Sequence, residues 1–214
     1  MNAKNVTRLL KQWSIWALLL GAGLAQPARV FAHCDGMDGP VVQAAQKALE
    51  SRNVNLVLIW VPKADEREVK ELFPKVLNVR KLTPEARELA DRYFFETLVR
   101  VHRAGEGAPY TGLKPAGRDL GPIIPAADRA IDSRRVEPLL RLLPQQARQR
   151  AGQLFQDVLE KKSYDPNDVE AGRQYVRAYV RFMHELEELG GRAVHEHQPK
   201  AGEHQDHGHQ SHQN

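Results

Sequence analysis

The chain has 214 residues, a formal net charge of +4 and a single cysteine. Lys4, Arg8, Lys11 and Arg29 precede residue 33 and no acid does, so 31 basic residues less these four leave 27 against 27 acids in the remainder. A balanced remainder gives no electrostatic reason for a nucleic acid or an anionic membrane as partner, and one cysteine excludes an internal disulfide.

Residues 1–32 read as a secretory signal: a positive start, the apolar run Ser14 to Ala25, a break at Gln26-Pro27, then Val30-Phe31-Ala32. The apolar run is too short to span a bilayer comfortably, so no stable membrane anchor is expected after cleavage, and the product is placed in the periplasm or outside the cell. His33 precedes the cysteine where a lipid-anchor signal needs a small residue, which argues against lipidation. Cleavage after Ala32 would leave His33 with a free α-amine beside Cys34. Amine, imidazole and thiolate together form an N/S ligand set suited to a transition metal, with copper, nickel and zinc all open.

From residue 38 on the pattern is helical nearly throughout. The run Val54 to Val61 (VNLVLIWV) is ambiguous between strand and helix on its own. A second copy of the segment resolves it. At an offset of 82 residues (39 to 121), Gly39-Pro40 matches Gly121-Pro122, Ser51-Arg52 matches Ser133-Arg134, Leu72-Phe73 matches Leu154-Phe155, and His102 falls on His184. Eighteen identities without a gap between Gly39 and His102 indicate a duplication. The partner of the ambiguous run contains Pro138 near its front and is leucine-rich, so both copies are predicted to be short buried helices ending near Pro62 and Pro144.

Each copy should hold four helical pieces. The first opens at Pro40 or Pro125, and the third covers about 64–77 and 145–161. The fourth follows Thr83-Pro84-Glu85 or Asp165-Pro166-Asn167, read as helix starts. Asp38 is read as a cap for the helix at Pro40. In the long fourth helix Leu89, Tyr93, Phe94, Leu98, Val101 and His102 share helical spacing, as do Tyr175, Val176, Tyr179, Phe182 and Met183. The two long helices are expected to pack together in an all-α bundle of two tandem pseudo-symmetric repeats. The predicted organisation is a signal over 1–32 and a helical domain over 33–189. Within that domain, repeats cover about 39–102 and 121–189, with a Gly/Pro-rich loop over 103–120 in which Tyr110 and Leu113 are candidate anchors. A disordered polar tail over 190–214 carries His195, His197, His204, His207, His209 and His212, a set suited to weak metal binding.

His33-Cys34-Asp35-Gly36-Met37-Asp38-Gly39 resembles the mature start of nickel superoxide dismutase, H-C-D-x-x-C-G. That family is helical and holds nickel by the terminal amine, the first histidine, an amide and two thiolates. Asp38 stands here where the second thiolate would be, so the full hook cannot form. Over roughly Ala32 to Leu189 the chain resembles an uncharacterised family of exported bacterial helical proteins sharing H-C-D-x-x-D-G-P-V-V and H-R-A-G-E-G-A-P-Y-T-G, a resemblance that implies no activity. An N-terminal histidine also resembles the histidine brace of exported copper proteins, in which a second histidine joins the terminal one.

His102 and His184 are candidates for that second ligand, each followed four residues later by an acid, Glu106 or Glu188. The expected metal set is therefore His33, Cys34, His102, His184 and Glu106. The functional expectation is an exported protein that binds a metal ion through His33-Cys34, with one-electron redox chemistry open to it. Catalytic residues, and whether the chain is an enzyme, are not assigned. The alternative is a non-enzymatic envelope scaffold or interaction protein without a metal site, Cys34 being idle or joining two chains in a homodimer.

Overall fold

A computed structural model describes residues 33–196, with side chains described through Leu189. Within that range every regular element is helical, apart from one isolated parallel bridge between Gly36 and Lys114.

The sequence patterns account for the elements in order. After a turn over His33 to Gly39, α1 (Pro40–Ser51) opens with proline at its first position, where the missing N–H costs nothing. It buries Val41, Val42, Ala45, Ala48 and Leu49 on one face. Gly39 is needed before it, because a Cβ there would run into the His33 carbonyl oxygen. The ambiguous apolar run becomes the single helical turn α2 (Asn55–Leu58) followed by tight turns, and Val57 to Val61 are all buried. A 3-10 turn (Lys63–Asp65) leads into α3 (Glu66–Val79), which carries Pro74 within it and buries Val69, Phe73 and Val76. α4 (Pro84–Gly105) is capped by Thr83, whose Oγ1 accepts from the Ala86 N–H at 3.1 Å. Beyond the loop lie α5 (Ile123–Ser133), α6 (Glu137–Leu142), α7 (Gln145–Lys162) and α8 (Val169–Glu196). None of the described helices is long and apolar enough to cross a membrane.

One core runs from Cys34 to Leu186. Its largest side chains, Phe94, Phe155 and Phe182, are fully buried and each contributes about 1.5–3 kcal/mol from removal of apolar surface from water. α4 lies on α1 and α3, while α8 makes its broadest contact with α7 and also touches α5 and α2. The two long helices therefore pack chiefly on shorter neighbours, rather than along one another as the sequence pattern suggested. Arg173 fastens α8 to the 58–61 segment: its Nε donates to the Val61 carbonyl at 3.1 Å and Nη2 to the Leu58 carbonyl at 3.2 Å.

Several expectations need correction. Leu89 and Tyr93 share the predicted spacing but lie outside the core, 70 % and 61 % exposed; the buried face of α4 is rotated to Ala90, Phe94, Phe95 and Leu98. Asp38 caps nothing: its Oδ2 accepts the Gly117 N–H at 2.7 Å and so ties the start of the domain to the Gly/Pro-rich loop. The final helix starts not after Asp165 but after Asp168, whose Oδ1 accepts from the Ala171 N–H at 2.9 Å. Asp165 instead holds a local turn through the Asn167 N–H. The backbone of α8 continues through Gly190-Gly191 to Glu196, past the expected start of the tail at 190, and so includes His195. His197, His204, His207, His209 and His212, like the proposed signal over 1–32, fall outside the described residues. Tyr110 and Leu113 do anchor the loop, half-buried against the core.

Candidate metal centre

Four pieces of chain bring the polar side chains together: the turn at His33 to Asp35, the end of α4, α5 at Asp128, and the middle of α8. The turn is pinned to the loop by two backbone bonds, Lys114 N–H to the Asp35 carbonyl and Met37 N–H to the Lys114 carbonyl, each 2.9 Å. This places His33, Cys34 and Asp35 inside the protein, whereas an N-terminal hook would stand clear of it. The end of α4 is brought close to the 59–62 segment because Gly105 has no Cβ to meet the Pro62 ring.

Around Cys34 the charges are unbalanced. Asp35 is fully buried (0 % exposed), and Arg103, 2 % exposed, faces it with Nε 3.5 Å from Oδ1. Arg103 also donates from Nη1 to Glu106 Oε2 at 2.8 Å. One guanidinium thus serves two carboxylates, and a third, Glu187, lies within electrostatic range of the same group. Burial, and after it the carboxylates of Glu106, Glu187 and Asp35, push the Cys34 thiol well above its ordinary value. Burial likewise raises Asp35 and Glu106 against the pull of Arg103, and pushes Glu187 up to about 7 against His33 and Arg103. In each case burial is the largest cause.

The histidines are held by one nitrogen each. His102 Nδ1 lies 2.9 Å from the Trp60 carbonyl oxygen, which can only accept, so the ring proton is on Nδ1 and the lone pair on Nε2. Burial pushes His102 down to about 4, which keeps it neutral. Its Nε2 has no hydrogen-bond partner and faces Glu106 Oε1 at 3.4 Å, itself unpartnered. His184 Nε2 approaches the same oxygen at 3.8 Å. On the other side Tyr179 donates its hydroxyl to Asp128 Oδ1 at 3.0 Å. His33 Nε2 lies 3.1 Å from Asp128 Oδ2 and 3.0 Å from the Tyr179 oxygen, so a proton on Nε2 points at Asp128.

His102, His184 and Glu106, expected from the sequence as metal ligands, thus converge on one carboxylate oxygen. Glu188, the acid four residues after His184, is exposed, and Glu106 serves both histidines. His33 turns its Nε2 toward Asp128 and Tyr179, away from any of the expected ligands. Among the described residues no three His, Cys, Asp or Glu side chains stand in ready-made ligating geometry. Sequence reasoning missed Arg103, Asp128, Tyr179 and Glu187. Arg103 alone had a signal, a charged residue one position past His102 on the apolar helix.

His102, Glu106 and His184 form part of the lining of a cavity of about 620 Å³, walled by Trp60, Val176 and Val180 among others. What the arrangement offers chemically is a set of buried acceptors that make no hydrogen bond: His102 Nε2, Glu106 Oε1, Glu187 Oε2 and both oxygens of Asp35, of which Oδ1 is ion-paired with Arg103. Orphaned acceptors beside excess negative charge are suited to a cation.

The fold and cluster define a class: an all-α protein with histidine, thiol and carboxylates gathered in its interior. Residues 38–185 match a family of unknown function, DUF6448, and the chain belongs to that family. No curated protein and no solved structure matches it.

Proposed function

We propose that this chain is an exported helical protein that binds one transition-metal ion within the Cys34 cluster. The ligands are His102 Nε2, Glu106 and His184, together with the thiolate of Cys34 and, once the chain is cut after Ala32, the amine and Nδ1 of His33. The observation that carries this reading is the pair of unpartnered acceptors, His102 Nε2 and Glu106 Oε1, facing each other in the interior. The ring orientations support it. Metal-bound histidines give their other N–H to a carbonyl or carboxylate, as His102 does to Trp60 and His33 to Asp128. A divalent cation would pair with the buried carboxylates and favour the thiolate of Cys34 over its thiol. Of copper, nickel and zinc, the mixed N/S/O set selects none.

The duplication belongs to the same proposal. α1 and α5 both end on a left-handed arginine, Arg52 at φ 57° and Arg134 at φ 58°. Matching backbone bonds run from Asn53 to Ala48 and from Arg135 to Ala130, both 3.1 Å. Each long helix packs on the first and third helices of its own half. An ancestral half carrying one histidine, doubled, would supply both His102 and His184.

The test is metal content. Chains ending at Glu196, and so lacking the five histidines from His197 to His212, are loaded with copper, nickel or zinc, dialysed and analysed for bound metal. His102→Ala should weaken binding at least about 10–100-fold, the loss typical for removing even an outer partner of a ligand. His33→Ala and Cys34→Ser should weaken it too. Equal content in all forms removes the reading. Mass spectrometry of the exported chain checks that it begins at His33.

A scaffold role is the second reading, and exposed Leu82, Leu89 and Tyr93 favour it as a surface for another protein. In that case Cys34→Ser and the metal titration would be without effect.

A further inference from the structure

We propose that Trp60, Tyr179, Tyr175 and Tyr164 form a path along which an electron vacancy leaves the histidine cluster for the surface, with Tyr179 as its resting point. The metal reading enters only through the oxidant; the path itself rests on the rings.

The rings are contiguous. His102 and Trp60 have centroids 5.7 Å apart and edge to face at 78°, and Trp60 meets Tyr179 at 5.9 Å and 83°. Tyr179 continues to Tyr175 at 6.2 Å and Tyr175 to Tyr164 at 5.7 Å. Tyr164 is only half-buried, so the line begins at the buried cluster and ends in reach of solvent. Simple core filling does not require this order. The phenylalanines pair among themselves elsewhere, Phe73 with Phe94 and Phe155 with Phe182, while the rings that give up an electron readily stand in one row.

Tyr179 differs from the other two tyrosines of the row in having a proton acceptor in place. A phenol that loses an electron becomes a strong acid, and in an apolar interior it is oxidised easily only if its proton has somewhere to go. Asp128 Oδ1 accepts that hydroxyl at 3.0 Å, within the range for direct transfer, and the other oxygen of Asp128 is held by His33 Nε2.

The step balances as follows. A redox-active ion of the copper class, held by His102, His184 and Glu106, would supply the oxidant, and the electron relayed to it through Trp60 comes from Tyr179. The Tyr179 O–H bond breaks, its proton passes to Asp128, and a neutral phenoxyl radical remains. Tyr175 and Tyr164 return one electron from a solvent-borne reductant of the thiolate or enediolate class, and Asp128 returns the proton. Such a path would drain a damaging oxidising equivalent from the buried thiol of Cys34.

The experiment uses the metal-free full chain, so its failure leaves the metal titration standing, and the reverse holds as well. A ruthenium polypyridyl sensitiser with an irreversible electron acceptor is flashed in solution, and the radical is followed by electron paramagnetic resonance and transient absorbance. A neutral tyrosyl radical is expected, its yield falling about tenfold or more in Tyr179→Phe and in Asp128→Asn, the latter nearly isosteric and half-exposed. Tyr175→Phe should slow its appearance by a similar factor without changing the final spectrum, and exposed Tyr93→Phe should change nothing. A wild-type yield and spectrum in Tyr179→Phe, or unaltered kinetics in Tyr175→Phe, overturns the proposal.

Discussion

His33 and His102 are both buried histidines near Cys34 and its carboxylates, and the protein builds the two positions by different means. His102 is part of the 22-residue helix α4, its Nδ1 fixed by a carbonyl of the 58–61 segment that Arg173 in turn fastens to α8. His33 sits in a turn, held by the Gly36–Lys114 bridge, by Asp38 on Gly117, and by Asp128 and Tyr179. Removing a helix position disturbs the core, whereas loosening a tethered turn leaves the core intact. The difference teaches that one side of the cluster is built on helices and the other on a turn held by hydrogen bonds to a distant loop.

The sharpest way to break that comparison is Arg103→Met. Arg103 is in contact with both Asp35 and Glu106, and its loss leaves two buried carboxylates without the guanidinium they share. We expect a loss of about 3–5 kcal/mol in urea unfolding, the cost of breaking a buried pair from one side. Asp35→Asn added to Arg103→Met should recover part of it, since the two changes share one contact. If Arg103→Met instead frees only residues 33–39 to amide exchange while global stability holds, Arg103 belongs to the tether and the comparison is drawn in the wrong place.

A smaller effect separates the two sides by pH in metal-free protein. Glu187, which faces His33, holds its proton up to about 7 in the folded state against 4.5 as its ordinary value. The folded state binds more protons than the unfolded one in that window, so this group makes stability fall as pH rises from about 4.5 to 7. His102 is pushed down from 6.5 to about 4, so the unfolded state binds more protons there, and stability rises with pH from about 4 to 6.5. The slopes oppose each other where the windows overlap. Each is at most about 1.4 kcal/mol per pH unit. Glu187→Gln should therefore expose a rising profile between pH 5 and 6.5, and His102→Gln a falling one. Identical profiles in both variants would show that the two groups do not report on separate environments.

Much of the fold was legible in the sequence, and the reasons are local. Proline at the first turn of α1 and threonine before α4 act through backbone chemistry, which one chain displays by itself. Spacing failed at Leu89 and Tyr93, because helical period defines a stripe but only the neighbours α1 and α3 decide which way it turns. At the site, the four-residue spacing put His102 and Glu106 on one face, but the approach of His184 to the same oxygen depends on how α8 lies and was not legible. Asp128 and Glu187 were not found, because an acid on a helix among many surface acids carries no mark of burial. Asp38 was misread because its partner, Gly117, lies far along the chain.

The least costly change asks whether the turn is a tether at all. Asp38→Ala removes one hydrogen bond at the protein surface, from the Gly117 N–H, and should lower global stability by only about 0.5–1.5 kcal/mol. Its effect on exchange should be local: faster deuterium uptake at Asp35 to Gly39 and at Lys114 to Gly117, with α4 protected as before, because those amides open without unfolding the core. If metal reaches the cluster by undocking of this turn, the association rate of a loaded ion should rise in Asp38→Ala while the final metal content stays the same. An unchanged rate with faster exchange would mean that the ion enters instead through the cavity bordered by Trp60, Val180 and His184, on the side built on helices.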